Sequence, residues 1–254
     1  MKRLFLFIAF VFALGFGWRL FSVGSNITIE IEAEPVHEQE PLLKIVSVDL
    51  EKDDLRMFSK NSDGEPYGTF RALQTELKNT DQQLLFATNG GIFQEDLTPL
   101  GLYIENGTEQ HPVNLHKDLY GNFYLQPNGI FYLTGNAGGV VATEDFESIE
   151  GVRYATQSGP LLLVEGKINS NFDFQSTNRT TRSGVCFPER AKAVFILANQ
   201  SITFYEFAQA FLDQECTTAL YLDGAISTLY SADDPSLPFP FEYSVIIGVV
   251  KEKG

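Results

Sequence analysis

Short apolar segments that each end in a polar residue beside glycine recur along this chain, and they constrain its fold more than any other feature. The three clearest examples are Thr88-Asn89-Gly90-Gly91, Gln157-Ser158-Gly159-Pro160 and Leu222-Asp223-Gly224. A short apolar run bounded by turn residues is typical of a buried strand, and glycine tolerates the backbone angles that tight turns need. The chain is therefore predicted to be rich in short strands that turn sharply at their ends.

The segments between these turns add further predicted elements. Thr69 is expected to cap a helix over 70–78, and a second helix is expected over 207–216. Asn106-Gly107 indicates a hairpin, and Pro127-Asn128-Gly129 indicates another. The predicted strands are 42–50, 84–88, 100–104, 123–125, 130–133, 154–157, 160–164, 184–187, 193–198, 202–205, 219–222 and 243–250.

The order of these elements favours an α+β fold, a β-rich single domain over 42–254 with mixed or antiparallel sheet and a few helices. Strands outnumber helices and do not alternate with them strictly, which argues against a doubly wound nucleotide-binding sheet. The sequence contains neither GxGxxG nor GxxxxGK[ST], so the simplest nucleotide-binding motifs are absent.

The N-terminus has the pattern of an export segment. Lys2 and Arg3 precede an uncharged, largely apolar run from Leu4 to Trp18, which matches the central region of a signal peptide. Residues 1–23 are predicted to be a signal peptide or an uncleaved signal anchor, and residues 24–41 a linker. The domain is thus expected outside the cytoplasm, either periplasmic or secreted, with a single N-terminal membrane anchor as the tethered alternative.

The net charge disfavours one class of partner, and the cysteines bear on disulfide formation and metal binding. The net charge is −15, which disfavours nucleic acid because phosphates are repelled. Cys186 and Cys216 either pair, as cysteines of exported proteins do, or stay as buried thiols. No zinc-type spacing of Cys and His occurs, so neither a metal nor another cofactor is predicted.

Asp223 and Arg182 are the strongest candidates for chemistry, and three further residues are weaker ones. Asp223 follows the apolar run 219–222, where partial burial would tune the pKa of its carboxylate. Arg182 precedes a predicted strand and offers a planar fork suited to phosphate or carboxylate. Glu95 and Asp96 are candidates for a second carboxylate, because glycoside cleavage usually needs two. Ser158 lacks a GxSxG context, so an esterase based on it is a weaker alternative.

The ordered set of motifs resembles the phosphodiester glycosidase domain family. The residues that carry the resemblance, over roughly 44–250, are Thr88-Asn89-Gly90-Gly91-Ile92-Phe93, Pro99-Leu100-Gly101-Leu102, Gly121-Asn122-Phe123, Pro127-Asn128-Gly129, Gln157-Ser158-Gly159-Pro160-Leu161-Leu162, Arg182-Ser183-Gly184-Val185 and Leu222-Asp223-Gly224. Two departures, Ala225-Ile226-Ser227 after Asp223-Gly224 and Ser183-Gly184 after Arg182, resemble an exported bacterial branch of the family.

The resemblance implies hydrolysis of a bond between an anomeric sugar carbon and a phosphodiester, on a glycan or sugar-phosphate substrate. It also implies that Asp223, Asn89 and Arg182 are the catalytic residues. The residues expected to bind substrate are Gly90, Gly91, Phe93, Ser158, Gly159, Gly224 and Ser227. The alternative is a non-catalytic module that binds envelope glycans or anionic polymers.

Overall fold

The computed structural model describes residues 19–23, 27–31, 42–233 and 241–253. The chain divides into two compact units, residues 1–40 and 41–254. In the first unit, strands β1 (Arg19–Val23) and β2 (Ile27–Ile31) pair antiparallel. Strand β2 falls inside the predicted linker, while residues 1–18 of the predicted export segment lie outside the described residues. Among the described residues, no helix is long and apolar enough to span a membrane.

The second unit is built from three sheets whose paired strands all run antiparallel, and the β-rich fold class predicted from the sequence is confirmed. The four-stranded sheet has the order β16 (Leu229–Ser231), β5 (Gln82–Asn89), β17 (Ile246–Glu252) and β4 (Asp54–Phe58). The six-stranded sheet has the order β12 (Lys167–Ile168), β11 (Leu161–Val164), β15 (Ala219–Tyr221), β13 (Thr180–Glu189), β14 (Lys192–Ile202) and β3 (Leu43–Asp49). The five-stranded sheet has the order β7 (Thr108–His111), β6 (Tyr103–Glu105), β10 (Tyr154–Ser158), β8 (Gly129–Thr134) and β9 (Ala137–Ala142).

The helices are few and short. They are α1 (Phe70–Asn79), α2 (Phe204–Leu212) and three 3₁₀ segments, Asn122–Tyr124, Thr143–Ser148 and Gly224–Ile226. The predicted cap of α1 is confirmed, because Thr69 Oγ1 accepts a hydrogen bond from the backbone N–H of Ala72 at 3.2 Å. The predicted hairpin at Asn106-Gly107 is also confirmed: it joins β6 to β7, with φ of 50° and 79° at the two turn residues.

One hydrophobic core lies where the three sheets face each other, and each helix covers the outside of a sheet. Alternation along β14 explains the arrangement, because Phe195 points into the shared core while Val194 and Ile196 point towards α2. Helix α1 packs Leu73 and Leu77 against the outer face of the four-stranded sheet. Cys186 on β13 and Cys216 beyond α2 form a disulfide, which settles the alternative left open by the sequence.

Two predicted strands are wrong. The segment 202–205 contains the start of α2, because Thr203 and Glu206 form a capping box that turns the chain into a helix directly after β14. The segment 123–125 lies largely in a 3₁₀ turn, in which the backbone N–H of Leu125 bonds to the carbonyl of Asn122. The hairpin predicted at Pro127-Asn128-Gly129 is consequently absent. Strand β8 pairs instead with β9 and β10.

Candidate active site

The ends of β5 and β15 meet, although Asn89 and Asp223 are 134 positions apart in the sequence. Asn89 Nδ2 donates a hydrogen bond to the backbone carbonyl of Asp223 at 3.0 Å. In return, the backbone N–H of Asp223 donates to the carbonyl of Gly90 at 3.4 Å. Two of the three strand-end turns predicted from the sequence therefore form one structure, and two of the predicted catalytic residues lie in it.

The Asn89 side chain is buried and acts as a clamp between strands. Its Nδ2 donates a second bond to the carbonyl of Gly90 at 3.3 Å. Its Oδ1 accepts from Ser183 Oγ at 3.1 Å and from the backbone N–H of Thr228 at 3.4 Å. Because both ends of this amide are occupied, Asn89 fixes the loop around it.

The backbone of Asp223 is held from a second direction by Ser227. Ser227 Oγ lies 3.2 Å from the carbonyl oxygen of Asp223 and 3.1 Å from Ser183 Oγ. Asn89, Ser183 and Ser227 thus form a closed hydrogen-bond network around the Asp223 peptide. The Asp223 residue itself is only partly buried, and its backbone is fixed by these bonds.

The two glycines after Asn89 are required by close packing. A β-carbon at Gly91 would overlap the backbone carbonyl of Gln157 at the end of β10, and one at Gly90 would lie 2.7 Å from Cβ of Val245. Their backbone N–H groups already have acceptors: Val245 O at 2.8 Å for Gly90 and Thr156 Oγ1 at 3.3 Å for Gly91. These contacts join the β5 turn to β10 and to the segment before β17.

The third turn, Ser158-Gly159, joins the five-stranded sheet to the six-stranded sheet. Ser158 Oγ is buried, and no described residue forms a hydrogen bond with it. Beyond Gly159, the carbonyl of Pro160 accepts from the backbone N–H of Tyr221, two residues before Asp223. Phe93 is half-buried in a turn that pairs it with Pro99.

Arg182 lies inside β13 and is buried, in contrast to the strand-edge position expected from the sequence. Its Nε donates to the carbonyl of Ile202 at 2.8 Å and its Nη2 to the carbonyl of Asn178 at 3.3 Å. The guanidinium carbon lies 3.7 Å from the centre of the Phe204 ring, close enough for a cation–π interaction. Burial lowers the pKa of Arg182, with opposing contributions from the nearby Tyr221.

Tyr221 connects Arg182 with the Asp223 loop. The Arg182 guanidinium carbon lies 5.8 Å from the centre of the Tyr221 ring, and a β-carbon at Gly224 would overlap the Tyr221 hydroxyl. Burial raises the pKa of Tyr221 to about 12, and the negative charge of Asp223 contributes in the same direction. Arg182 is therefore coupled to the Asp223-Gly224 turn through a neutral tyrosine.

Comparison with known proteins identifies the family. The phosphodiester glycosidase family model matches residues 82–247, which include all three strand-end turns and Arg182. This chain belongs to the phosphodiester glycosidase family. The Escherichia coli (strain K12) protein YigE, described as uncharacterized, is 37% identical over 187 residues, which are 72% of this chain and 72% of that protein.

Two solved structures resemble the chain in fold. The catalytic domain of zebrafish N-acetylglucosamine-1-phosphodiester alpha-N-acetylglucosaminidase, described as auto-inhibited by its pro-peptide, has a TM-score of 0.52 and 17% identity. The match covers 84% of this chain and 85% of that one. A hypothetical protein from Synechocystis also has a TM-score of 0.52, with 13% identity, 92% of this chain covered and 61% of that one. At these identities, the resemblance establishes the fold alone.

Several residues that build the candidate site were missed by the sequence reasoning. Ser183 and Tyr221 sit next to predicted site residues, and alternation along β13 would have placed Ser183 opposite Arg182. Thr156 and Thr228 carry no local signal, because each acts through a contact between strands distant in sequence. Glu95 and Asp96 are exposed, and Asp96 Oδ1 accepts from the backbone of Thr98 in a turn. Within the described residues, no group of three or more His, Cys, Asp or Glu side chains is arranged to hold a metal ion.

Proposed function

We propose that this protein hydrolyses the bond between an anomeric sugar carbon and a phosphodiester, acting on an envelope glycan or a sugar-phosphate outside the cytoplasm. Membership of the phosphodiester glycosidase family supports the reaction class. The observation that carries the proposal within this chain is the fixed Asp223 peptide, held by Asn89 and by Ser227 at the end of β15.

The proposed role of Asp223 follows from that geometry. Glycoside cleavage passes through a transition state with positive charge at the anomeric carbon, and a carboxylate on a rigid backbone stabilises that charge or activates the attacking water. Because the backbone on both sides of Asp223 is already hydrogen-bonded, little reorganisation is needed when the charge develops. Asn89 contributes by holding this geometry.

Arg182 has a positioning role in this proposal. Its guanidinium is 1% exposed and bonded to two backbone carbonyls, so direct contact with a substrate phosphate would require it to leave that environment. It instead lies beside Tyr221, whose hydroxyl packs against Gly224, and so supports the Asp223-Gly224 turn. Gly90 and Gly91 are expected from the sequence to bind substrate. Their backbone N–H groups already donate to protein acceptors, so binding a phosphate through them would require those bonds to break.

Export is supported by two separate features. The basic and apolar pattern of residues 2–18 is that of a signal peptide or signal anchor. The disulfide between Cys186 and Cys216 is of the kind that persists in oxidising compartments. We therefore place the domain in the periplasm or the extracellular space, with a single N-terminal membrane anchor where the apolar segment is retained.

The reaction is tested with purified protein and a panel of sugar-1-phosphodiesters that vary in sugar and in aglycone, with the release of free sugar as readout. Replacement of Asp223 by Asn keeps the size of the side chain and removes its charge. Turnover is expected to fall about 10²–10⁴-fold, the range for loss of a group that transfers or stabilises charge. Asp63→Asn makes the same chemical change in an exposed turn, is the matched control and should retain full activity.

Two results would contradict the proposal. Retained turnover in Asp223→Asn would remove Asp223 from the catalytic role. Glycan binding by the wild-type protein without release of sugar from any phosphodiester would instead favour the non-catalytic glycan-binding module.

A further inference from the structure

A cavity of about 330 Å³ lies beside the end of β10, next to the Ser158-Gly159 turn. Its volume falls at the lower end of the range for small-molecule sites, roughly 300–1,000 Å³. The lining includes four side chains with amide or hydroxyl groups, together with apolar walls. The residues that matter for its chemistry are Asn114, Gln126, Asn128, Thr143, Leu115 and Ala142.

Asn128 provides the cavity with a hydrogen-bond acceptor on a firmly held side chain. The residue is 4% exposed, and its Nδ2 donates to the carbonyl of Phe123 at 3.1 Å. This bond fixes the orientation of the amide group. Because Asn128 lines the cavity, its Oδ1 can accept a hydrogen bond from a ligand or a water molecule there.

Gln157 holds two residues of the cavity lining, Asn114 and Thr143, in place. Its side chain is 1% exposed and fully bonded: Oε1 accepts from the N–H groups of Leu102 and Asn114 at 3.0 and 2.9 Å. Its Nε2 donates to the carbonyl of Asn114 at 2.8 Å and to Thr143 Oγ1 at 3.2 Å. Thr143 accepts in this bond, and no acceptor for its own hydroxyl hydrogen is found among the described residues. The cavity therefore presents both an acceptor and a donor on fixed supports.

The same strand connects this cavity to the candidate active site. The backbone carbonyl of Gln157 packs directly against Gly91, so that even one added carbon there would overlap it. One residue further on, a β-carbon at Gly159 would lie 2.8 Å from Cβ of Asn128. The end of β10 therefore lies between Gly91, which follows Asn89 and Gly90, and Asn128 in the cavity lining.

We propose that this cavity is a subsite that binds a neutral sugar unit of the substrate. A sugar hydroxyl both donates and accepts, as Asn128 Oδ1 and the Thr143 hydroxyl require, and the carbon-bound hydrogens of the ring suit the apolar walls at Leu115 and Ala142. A phosphodiester has no hydrogen to donate to Asn128 Oδ1, and the lining carries one carboxylate, Glu144, and one ammonium group, Lys117, so it offers no net positive charge to hold an anion. The inference rests on the proposed function, and it assigns Asn128 and Thr143 as sugar-binding residues and Gln157 as a positioning residue.

The test fills the cavity without removing any hydrogen bond. Ala142→Phe places an aromatic ring in the cavity. Ala142→Leu is a smaller insertion, to be used if Ala142→Phe folds poorly. Ala137→Phe, at the other end of β9, is the matched control. Binding of methyl glycosides of glucose, galactose and N-acetylglucosamine, with inorganic phosphate as the comparison probe, is followed by NMR. Hydrolysis of sugar-1-phosphodiesters is measured on the same proteins.

At least one methyl glycoside should bind the wild-type protein, and inorganic phosphate should not compete with it. Affinity should fall about tenfold or more in Ala142→Phe because the clash excludes the ring, and should be unchanged in Ala137→Phe. KM for the phosphodiester should rise in Ala142→Phe with kcat nearly unchanged. If no glycoside binds, or if KM is unaffected while hydrolysis persists, the subsite is wrong and the proposed function stands. If glycosides bind at this cavity but no phosphodiester is cleaved, the proposed function is wrong and the sugar site stands.

Discussion

At the scale of single residues, the side chains of this site act mainly by forming hydrogen bonds that fix the backbone. Asn89 uses both ends of its amide to connect β5 with Ser183, Thr228 and Asp223. A strand-end Asn-Gly is usually explained by turn preference alone. Here the asparagine is required because only an amide of this length offers donors to two carbonyls and an acceptor to two donors.

Replacing Asn89 by Asp tests this clamp. The new carboxylate would face the carbonyl oxygens of Asp223 and Gly90 without a hydrogen to offer either. The free energy of unfolding should fall by about 2–3 kcal/mol, the range for a buried network broken at one partner. Activity should fall as well, because the Asp223 peptide loses its anchor. Urea unfolding followed by circular dichroism measures the first effect.

Asn136→Asp is the control for this substitution, because Asn136 is exposed in the turn between β8 and β9. The same chemical change there should leave stability within about 0.5 kcal/mol of the wild type. Equal stabilities of the two variants would show that the Asn89 bonds contribute nothing net to folding.

At the scale of elements, the junction between β14 and α2 contacts Arg182 and so stabilises the candidate site. The carbonyl of Ile202 receives a bond from Arg182, and Phe204 in the first turn of α2 lies under the guanidinium. Between them, Thr203 Oγ1 accepts from the N–H of Glu206 at 3.1 Å, and Glu206 Oε2 accepts from the N–H of Thr203 at 3.0 Å. The capping box therefore fixes the residues that contact Arg182, and the disulfide at Cys216 holds the chain just beyond the helix.

Thr203→Ala tests whether this cap matters for catalysis as well as for folding. Loss of the capping oxygen should lower the free energy of unfolding by about 1 kcal/mol. It should also lower kcat several-fold, because Phe204 and Ile202 no longer hold Arg182 firmly behind Tyr221. Thr203→Ser keeps the hydroxyl and should restore both quantities.

Helix α1 also has a threonine N-cap, and it provides the control for Thr203→Ala. Thr69→Ala removes the N-cap of α1, which covers the four-stranded sheet through Leu73 and Leu77. A similar loss of stability is expected with kcat unchanged. If both caps lower kcat to the same degree, the effect reflects general loosening of the fold, and the specific role of the α2 junction is refuted.

At the scale of the whole molecule, the three sheets share one core, and this core lies entirely within residues 41–254. Phe131 of the five-stranded sheet, Phe195 of the six-stranded sheet and Ile247 of the four-stranded sheet all belong to it. The candidate site draws on all three sheets, through Thr156, Ser183 and Asn89. Site and core should therefore be lost together on unfolding.

Residues 41–254 expressed alone should fold and keep the kcat/KM of the full chain. A single cooperative transition in urea is expected, because all three sheets contribute side chains to the shared core. Circular dichroism is the suitable probe, since the single tryptophan of the chain, Trp18, lies outside this segment. Separate transitions, or loss of activity in the shortened chain, would show that residues 1–40 are part of the folding unit.

The sequence by itself determined the features whose physical causes lie within a few residues. The Thr69 cap, the Asn106-Gly107 hairpin and the apolar strand before Asp223 follow from local hydrogen bonding, backbone preference and burial pattern. The Thr203 capping box had a local signal too, but the apolar run before it favoured a strand.

Only the tertiary structure decided what depends on pairing between distant strands. Nothing near Arg182 in the sequence shows that β15 and α2 bury it, and nothing near Asn89 shows that its donors meet a carbonyl 134 positions away. The reason is that sheet order is set by how three sheets close around a common core, and that choice fixes which side chains face each other.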